Sequence, residues 1–92
     1  MNTRVYRVFC EGSEIGRLFV TDDNPAFPNH TLATLWIIIK TGQWELGTLE
    51  LNASRSFTNI FPIGRFTDDE IAQEMLRLAG KNCATVRITR NN

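Results

Sequence analysis

The 92-residue chain is predicted to form one α+β domain: a sheet of about five strands, antiparallel or mixed, with one helix packed on one face. Three observations predict this class. The segment 32–51 contains two apolar runs separated by turn residues, which is typical of a β-hairpin. The segment 67–80 has the periodicity and end signals of a helix. Segments rich in β-branched and aromatic residues flank these two, which gives the element order β-β-β-β-α-β.

The first two strands are predicted from segments 4–10 and 15–20, which are rich in Val, Phe, Ile and Leu. Between them lies Glu11-Gly12-Ser13-Glu14, a composition that predicts a hairpin with a four-residue connection. Both faces of the first strand carry apolar side chains, so the pattern does not identify its buried face. The segment 21–31 follows with two prolines and an Asp/Asn cluster, which predicts a connection.

The central hairpin is predicted from the uninterrupted apolar run Leu35–Ile39, which favours a strand buried on both faces. In the returning run, 44–51, the apolar positions change phase at Gly47. A β-bulge at or beside this glycine would bring them back to one face. In the next segment, 52–66, Pro62 excludes a central strand, so we expect an edge strand or a loop folded over the sheet.

The helix is predicted over 68–79. Thr67-Asp68-Asp69-Glu70 has the sequence of a capping box, in which the threonine and glutamate side chains satisfy backbone N–H groups of the first turn. Apolar residues then recur at spacings of three and four, and Gly80 supplies the C-terminal stop. The segment 83–90 alternates apolar and polar residues, which predicts a final strand with one face on the core.

Overall charge assigns no partner, because ten acidic and ten basic residues cancel. The chain starts without an apolar targeting core, and no apolar run approaches the roughly 20 residues that span a bilayer. We therefore expect a cytoplasmic protein without a membrane partner. The two cysteines, Cys10 and Cys83, are expected to be reduced, packed thiols, since a domain with an adequate core does not need a bridge.

Catalytic, metal and cofactor motifs are not found. The single histidine, His30, lies in a predicted loop, and neither C-x-x-C nor H-x-x-x-H spacing occurs. The glycines are scattered, so no phosphate-binding loop is predicted. The carboxylates at the start of the helix are explained by the helix dipole. We expect a protein that is not an enzyme and uses no cofactor.

The partner-binding surface is predicted from a mismatch between the helix and the sheet. One helix cannot cover both sides of a sheet whose central strand is apolar on both faces, so the uncovered face and the apolar loops are expected to contact a partner. Aromatic residues and arginines are enriched at the centres of such interfaces. The candidate contact residues are Phe27, Trp36, Arg55, Phe57, Phe61 and Arg65.

The function predicted from these patterns is stoichiometric binding to a protein partner, by an inhibitor, immunity protein or adaptor of the kind encoded by phages and mobile elements. A second copy of the chain, forming a homodimer, or a larger assembly are alternative partners. The second hypothesis is a single-stranded nucleic-acid binder, because eight of the ten basic residues are arginine. Five of these lie in predicted strands, where they could share a face with Tyr6 or Trp36: Arg4, Arg7, Arg17, Arg87 and Arg90. The neutral net charge makes this second hypothesis the weaker one.

Overall fold

The computed structural model describes residues 2–38 and 54–92. The elements in these ranges are β1 (Thr3–Cys10), β2 (Ser13–Asp22), β3 (His30–Ile38), β4 (Ser54–Pro62), α1 (Asp68–Leu78) and β5 (Val86–Arg90). The strands form one sheet in the order β4-β3-β2-β1-β5, and every neighbouring pair is antiparallel. The predicted α+β class and element order are confirmed. No helix in the described ranges is long and apolar enough to cross a membrane.

The hairpin that follows β3 differs in part from the prediction. β3 pairs with β4 along nine positions, from His30 opposite Pro62 to Ile38 opposite Ser54. The segment predicted as a loop or an edge strand is therefore a strand at the β4 edge, and Pro62 is its last residue. The predicted returning strand, 44–51, and the bulge at Gly47 lie outside the described residues.

The first hairpin is tighter than predicted. Cys10 pairs with Ser13, so only Glu11 and Gly12 connect β1 to β2. Both residues have positive φ, 51° and 84°, as in the type I′ turns whose twist matches that of the two strands. The predicted four-residue connection is wrong, because Ser13 and Glu14 already belong to β2.

A bulge lies one step further along this hairpin. Val8 pairs with Gly16 and Phe9 pairs with Glu14, so Ile15 is the additional residue in β2. Ile15 packs against the core, whereas Glu14 shares the face of Phe9, because paired residues point to the same side of a sheet. The bulge thus decides which of these two side chains faces the helix.

Helix α1 begins at Asp68 as predicted and ends at Leu78, one residue before the predicted end, with the predicted signals at both ends. The Thr67 hydroxyl accepts a hydrogen bond from the Glu70 N–H (3.1 Å), and the Glu70 carboxylate accepts one from the Thr67 N–H (2.9 Å). At the other end, Gly80 has a φ of 78° and donates to the Arg77 carbonyl, while the Lys81 N–H donates to the Leu76 carbonyl. This is a Schellman motif, which satisfies carbonyls of the last turn.

The core lies between α1 and one face of the sheet. It also resolves the ambiguous first strand, because Tyr6 and Val8 face the helix whereas Arg7 and Phe9 face away. Most predicted apolar positions on the helix-facing side are buried here, but Leu78 of α1 is exposed, and the predicted burial of β3 on both faces is wrong because Trp36 and Ile38 are exposed on the other side. The buried core residues are Val8, Leu18, Val20, Ala33, Leu35, Ile37, Phe61, Ile71, Ala72, Met75 and Leu76.

The two cysteines form a disulfide, with their Cα atoms 5.4 Å apart. The prediction of reduced thiols is wrong. Cys10 is the last residue of β1, and β5 runs antiparallel beside β1, so the segment entering β5 passes the end of β1. Two hydrogen bonds hold the same segment: the Glu11 N–H donates to the Thr85 carbonyl (2.9 Å), and the Ala84 N–H donates to the Glu11 carboxylate (3.0 Å).

Candidate functional site

The face of the sheet turned away from α1 is the candidate site, and we call it the open face. The strand register defines its members, because side chains alternate along each strand and cross-strand partners share a side. In the described strands they include Thr3, Val5, Arg7, Phe9, Glu14, Arg17, Phe19, Thr21, Leu32, Thr34, Trp36, Ile38, Ser56, Thr58, Ile60, Arg87 and Thr89.

Three arginines gather in one half of the open face, on β1, β2 and β5. Arg7 pairs with Arg17 across the first hairpin, and Arg17 pairs with Trp36 on β3. These side chains therefore form a row across three adjacent strands. Trp36 ends the row and is 44% exposed, which is unusual for so large an apolar side chain.

The third arginine stacks on a phenyl ring. The guanidinium carbon of Arg87 lies 4.2 Å from the centre of the Phe9 ring, and that of Arg7 lies 5.4 Å from it. Both distances lie within the range of cation–π attraction. Because Phe9 and Arg87 are also cross-strand partners, the ring positions a cation of the edge strand β5 on the open face.

The half of the open face on β1, β2 and β5 is the arginine half, and Glu14 provides its carboxylate. It accepts hydrogen bonds from Arg7 (2.8 and 3.2 Å) and from Arg17. The hydrogen bonds from Arg7, together with the nearby charge of Arg17, lower the pKa of Glu14 to about 2. Glu14 is therefore ionised at physiological pH, and the described open face carries three guanidinium groups against one carboxylate.

The other half of the open face, on β3 and β4, is apolar. Trp36, Ile38 and Ile60 are each between 37% and 44% exposed, and Leu32 lies opposite Ile60 in the register. Hydroxyl-bearing residues such as Thr34 separate them. An exposed group of large apolar side chains beside a cationic group is typical of an interaction surface.

The predicted contact residues do not form one surface. Trp36 lies on the open face, whereas Arg55 and Phe57 lie on the opposite face, as cross-strand partners of the buried Ile37 and Leu35. Arg55 and Phe57 instead line a pocket of about 310 Å³ beside the end of α1.

The remaining three predicted residues lie toward the end of the sheet where β4 stops. Phe61 is 5% exposed and belongs to the core. A substitution there would lower the stability of the fold, so it is not a clean test of binding. Phe27 and Arg65 are exposed in loops. Sequence reasoning missed Phe9 and Glu14 as members of the arginine half, because only the bulge and the β1–β5 register bring them to it.

The arginines considered for nucleic-acid binding are also divided between the faces. Arg7, Arg17 and Arg87 share the open face with Trp36. Arg90 instead stacks over the Tyr6 ring at 5.8 Å on the helix side.

Arg4 is held on the helix side by an ionic network. Its guanidinium donates to Asp22 (2.7 Å) and to both carboxylate oxygens of Asp68 (2.7 and 3.1 Å). The Tyr6 hydroxyl also donates to Asp68, and the Thr31 hydroxyl donates to Asp22 (2.7 Å). The network therefore joins the first turn of α1 to three strands.

Protonation behaviour agrees with a structural role for this network. The hydrogen bonds from Arg4 lower the pKa of Asp22 and of Asp68, and burial followed by the hydrogen bond to Asp68 raises the pKa of Tyr6. Each shift favours the protonation state that the observed hydrogen bonds require. The hydrogen-bonding groups of these side chains are satisfied by one another, so the network is suited to holding the helix on the sheet.

Comparisons with known proteins add no assignment. The chain matches no family model, no curated protein and no solved structure at a significant level. Within residues 2–38 and 54–92, no group of three or more His, Cys, Asp or Glu side chains is placed to hold a metal ion. The charge and the exposed side chains of the open face are therefore the features that bear on function.

Proposed function

We propose that this protein acts by stoichiometric, non-catalytic binding to a protein partner through the open face. The observation that carries the proposal is the division of this face into an arginine half on β1, β2 and β5 and an apolar half on β3 and β4. A complementary protein surface would place carboxylates opposite the arginines and apolar side chains opposite Trp36, Ile38 and Ile60. Such a surface is acidic beside an apolar patch.

The residue types support a protein partner. Trp and Arg are the residues that most often dominate binding energy when they lie near the centre of an interface. The row Arg7, Arg17 and Trp36 places both types side by side. An inhibitor, an immunity protein or an adaptor, whether encoded by a phage or by its host, would each work in this way.

A second copy of the chain fits the charge pattern less well. On the described part of the open face, Glu14 is the carboxylate available to meet three arginines of the partner copy, and Arg7 and Arg17 of its own chain already engage it. We therefore favour a foreign acidic protein over a homodimer.

The compartment belongs to this proposal as well. The disulfide between Cys10 and Cys83 is the observation that bears on it, because disulfides persist in oxidising compartments and are rare in the cytosol. This favours an oxidising compartment over the cytoplasmic location expected from the sequence.

The experiment is affinity purification from the native host, followed by calorimetry with the purified partner. Trp36→Ala and Arg17→Ala should each weaken binding by about 2 kcal/mol, a roughly thirtyfold rise in Kd. Arg77→Ala is the matched control, since Arg77 is exposed in the last turn of α1, away from the open face, and pairs only with Glu74 among the described ion pairs. A partner that binds all three variants as tightly as the parent would show that the open face is not the interface.

A second candidate is single-stranded nucleic acid, and the row of Arg7, Arg17 and Trp36 favours it. Arginines can contact phosphates while a base stacks on the indole. Against it, Arg7 and Arg87 already stack on Phe9, and Glu14 engages two of the three arginines. Fluorescence anisotropy with an oligothymidine at low salt tests it: binding should weaken steeply as salt rises, and no binding at low salt excludes it.

A further inference from the structure

We infer that the Cys10–Cys83 disulfide is a redox latch that holds β5 and thereby sets the position of Arg87 on the open face. This inference rests on the proposed function, because it makes the arginine half of the binding surface dependent on the redox state. The latch itself is a property of the strand and can be measured without any partner.

The register connects the bond to the open face. Cys10 pairs with Val86 at the end of the β1–β5 ladder, and the next pair is Phe9 with Arg87. Since adjacent residues point to opposite sides of a strand, the bond forms at the helix side while the Arg87–Phe9 stack lies directly across the strand on the open face. The bond joins Cys10 to Cys83, three residues before Val86, so it holds the start of β5 beside the end of β1, next to the 4.2 Å contact between Arg87 and Phe9.

The exit of strand β5 is held by hydrogen bonds to β1: the Asn91 N–H donates to the Val5 carbonyl (2.7 Å), the Val5 N–H donates to the Asn92 side-chain oxygen (3.1 Å), and the Asn92 amide donates to the Thr3 carbonyl (2.8 Å). Its entrance is attached differently. The strand has five residues, and among the described strands it stands at the edge of the sheet order and pairs with β1 alone. Its apolar residues Val86 and Ile88 are only half-buried. A short edge strand of this kind opens at a small cost in free energy unless something else holds it. The disulfide, together with the two hydrogen bonds to Glu11, holds its entrance.

The bond is also placed where a reductant can reach it. Cys83 is half-buried and lines a pocket of about 290 Å³ between the end of α1 and the segment leading into β5. Arg77 and Lys81 line the same pocket. Nearby cations favour the approach of a thiolate, which is the attacking form in thiol–disulfide exchange.

The reaction is a two-electron exchange with a dithiol. A thiolate of the dithiol attacks one Sγ atom, the bond between the two cysteine sulfurs breaks, and the other cysteine leaves as a thiolate. The second thiolate of the dithiol then attacks the sulfur of its own first thiol in the mixed disulfide and releases the second cysteine. The dithiol becomes a cyclic disulfide, and its two protons are taken up by the two cysteine thiolates.

The first test is hydrogen–deuterium exchange of the full chain, with and without dithiothreitol, alongside the Cys10→Ser/Cys83→Ser variant. The bond closes a loop of 73 residues, so breaking it raises the equilibrium constant for global unfolding by on the order of a thousandfold. This factor is the upper limit of the loss in amide protection. On reduction we expect the amides of 86–90 to become at least about tenfold less protected than those of β2 and β3, because β5 then opens locally whereas β2 and β3 exchange only through global unfolding. The double-serine variant should exchange like the reduced parent and not respond to the reductant.

Three outcomes would overturn the latch. Free thiols in the air-oxidised protein, detected by alkylation and mass spectrometry, would show that the bond does not form. Equal loss of protection in β2, β3 and β5 would show that the bond staples the whole domain rather than one strand. Unchanged exchange in β5 would show that the disulfide does not hold the strand.

The second test connects the latch to binding and uses the partner purified as above. If Arg87 transmits the effect, the double-serine change should weaken binding in the parent but leave the affinity of the Arg87→Ala variant unchanged. Equal weakening in both backgrounds would refute the role of Arg87. Because exchange in β5 needs no partner, failure of the latch and failure of the proposed interface give different results.

Discussion

The network around Arg4 gives the sharpest prediction about stability. Replacing Arg4 by Met keeps the apolar stem of the side chain but removes three hydrogen bonds, one to Asp22 and two to Asp68. A hydrogen bond to a charged group contributes about 1.5–3 kcal/mol in protected surroundings. The Arg4 side chain is 25% exposed, so we reduce each contribution to about 1 kcal/mol. Arg4→Met should therefore lower the free energy of unfolding by about 3 kcal/mol.

The measurement is urea denaturation at pH 7, supported by thermal melting, where this loss corresponds to a fall in Tm of about 15 °C for a domain of this size. Arg65→Met is the matched control, since Arg65 lies exposed in a loop and should change stability by no more than about 0.5 kcal/mol. If Arg4→Met is as stable as the control, the network does not hold the helix on the sheet.

The same variant should remove a pH dependence. Hydrogen bonds from Arg4 lower the pKa of Asp22 and Asp68 in the folded protein. A carboxylate with a lowered folded pKa contributes stability above its unfolded pKa of about 3.9 and loses it as pH falls through the folded value. The difference between the parent and Arg4→Met should be complete at pH 7 and shrink below about pH 4. An equal difference at pH 7 and pH 3 would refute the ionic explanation.

Three further substitutions test other parts of the fold and the open face. Thr67→Ala should cost about 1 kcal/mol of stability by removing the helix cap, and an unchanged urea midpoint would contradict that role. Gly16→Ala should cost about 3 kcal/mol, because an added Cβ would lie 1.9 Å from the backbone oxygen of Trp36; a stable variant would show that β2 and β3 can separate there. Glu14→Gln should raise the association rate with an acidic partner several-fold at low salt, and a rate that does not change would mean that the arginines do not steer binding.

The parts of the fold that the sequence predicts well are those set by contacts within a few residues. The capping box and the glycine stop of α1 are both formed inside single turns, so Thr67, Glu70 and Gly80 are recognisable from spacing alone. The alternation in β5 likewise needs only one buried side. Val86 and Ile88 pack on the core as expected, although the strand starts at Val86 rather than at the predicted residue 83.

The parts that it misses depend on pairing between distant segments. β4 is polar along much of its length, SRSFTNIFP, and becomes a strand because β3 supplies its hydrogen-bonding partner. The disulfide is missed for a related reason, since nothing local places Cys83 beside the end of β1. The short turn at Glu11-Gly12 is a smaller miss, because its two-residue form was available from the composition.

The candidate site shows the same difference between local patterns and pairing of distant segments. Trp36 and Phe57 were grouped by residue type, but the register pairs Trp36 with Ser56, which places the adjacent Phe57 on the opposite face. A shift of one residue in register exchanges the two faces of a strand, so composition cannot assign a face. The bulge at Ile15 has the same effect in β2, where it brings Glu14 to Arg7 and Arg17.

Net charge shows why a property of the whole chain misjudges a surface. The ten acidic and ten basic residues cancel, yet Asp68, Asp69 and Glu70 lie in the first turn of α1, where the helix dipole favours them. The arginines of the open face lie beyond the sheet from this turn. At physiological ionic strength charges are screened over about 8 Å, so acids on the helix side contribute little to the field above the open face. A neutral chain can therefore present a cationic surface, and the proposed binding depends on the charge of that one face rather than on the net charge of the chain.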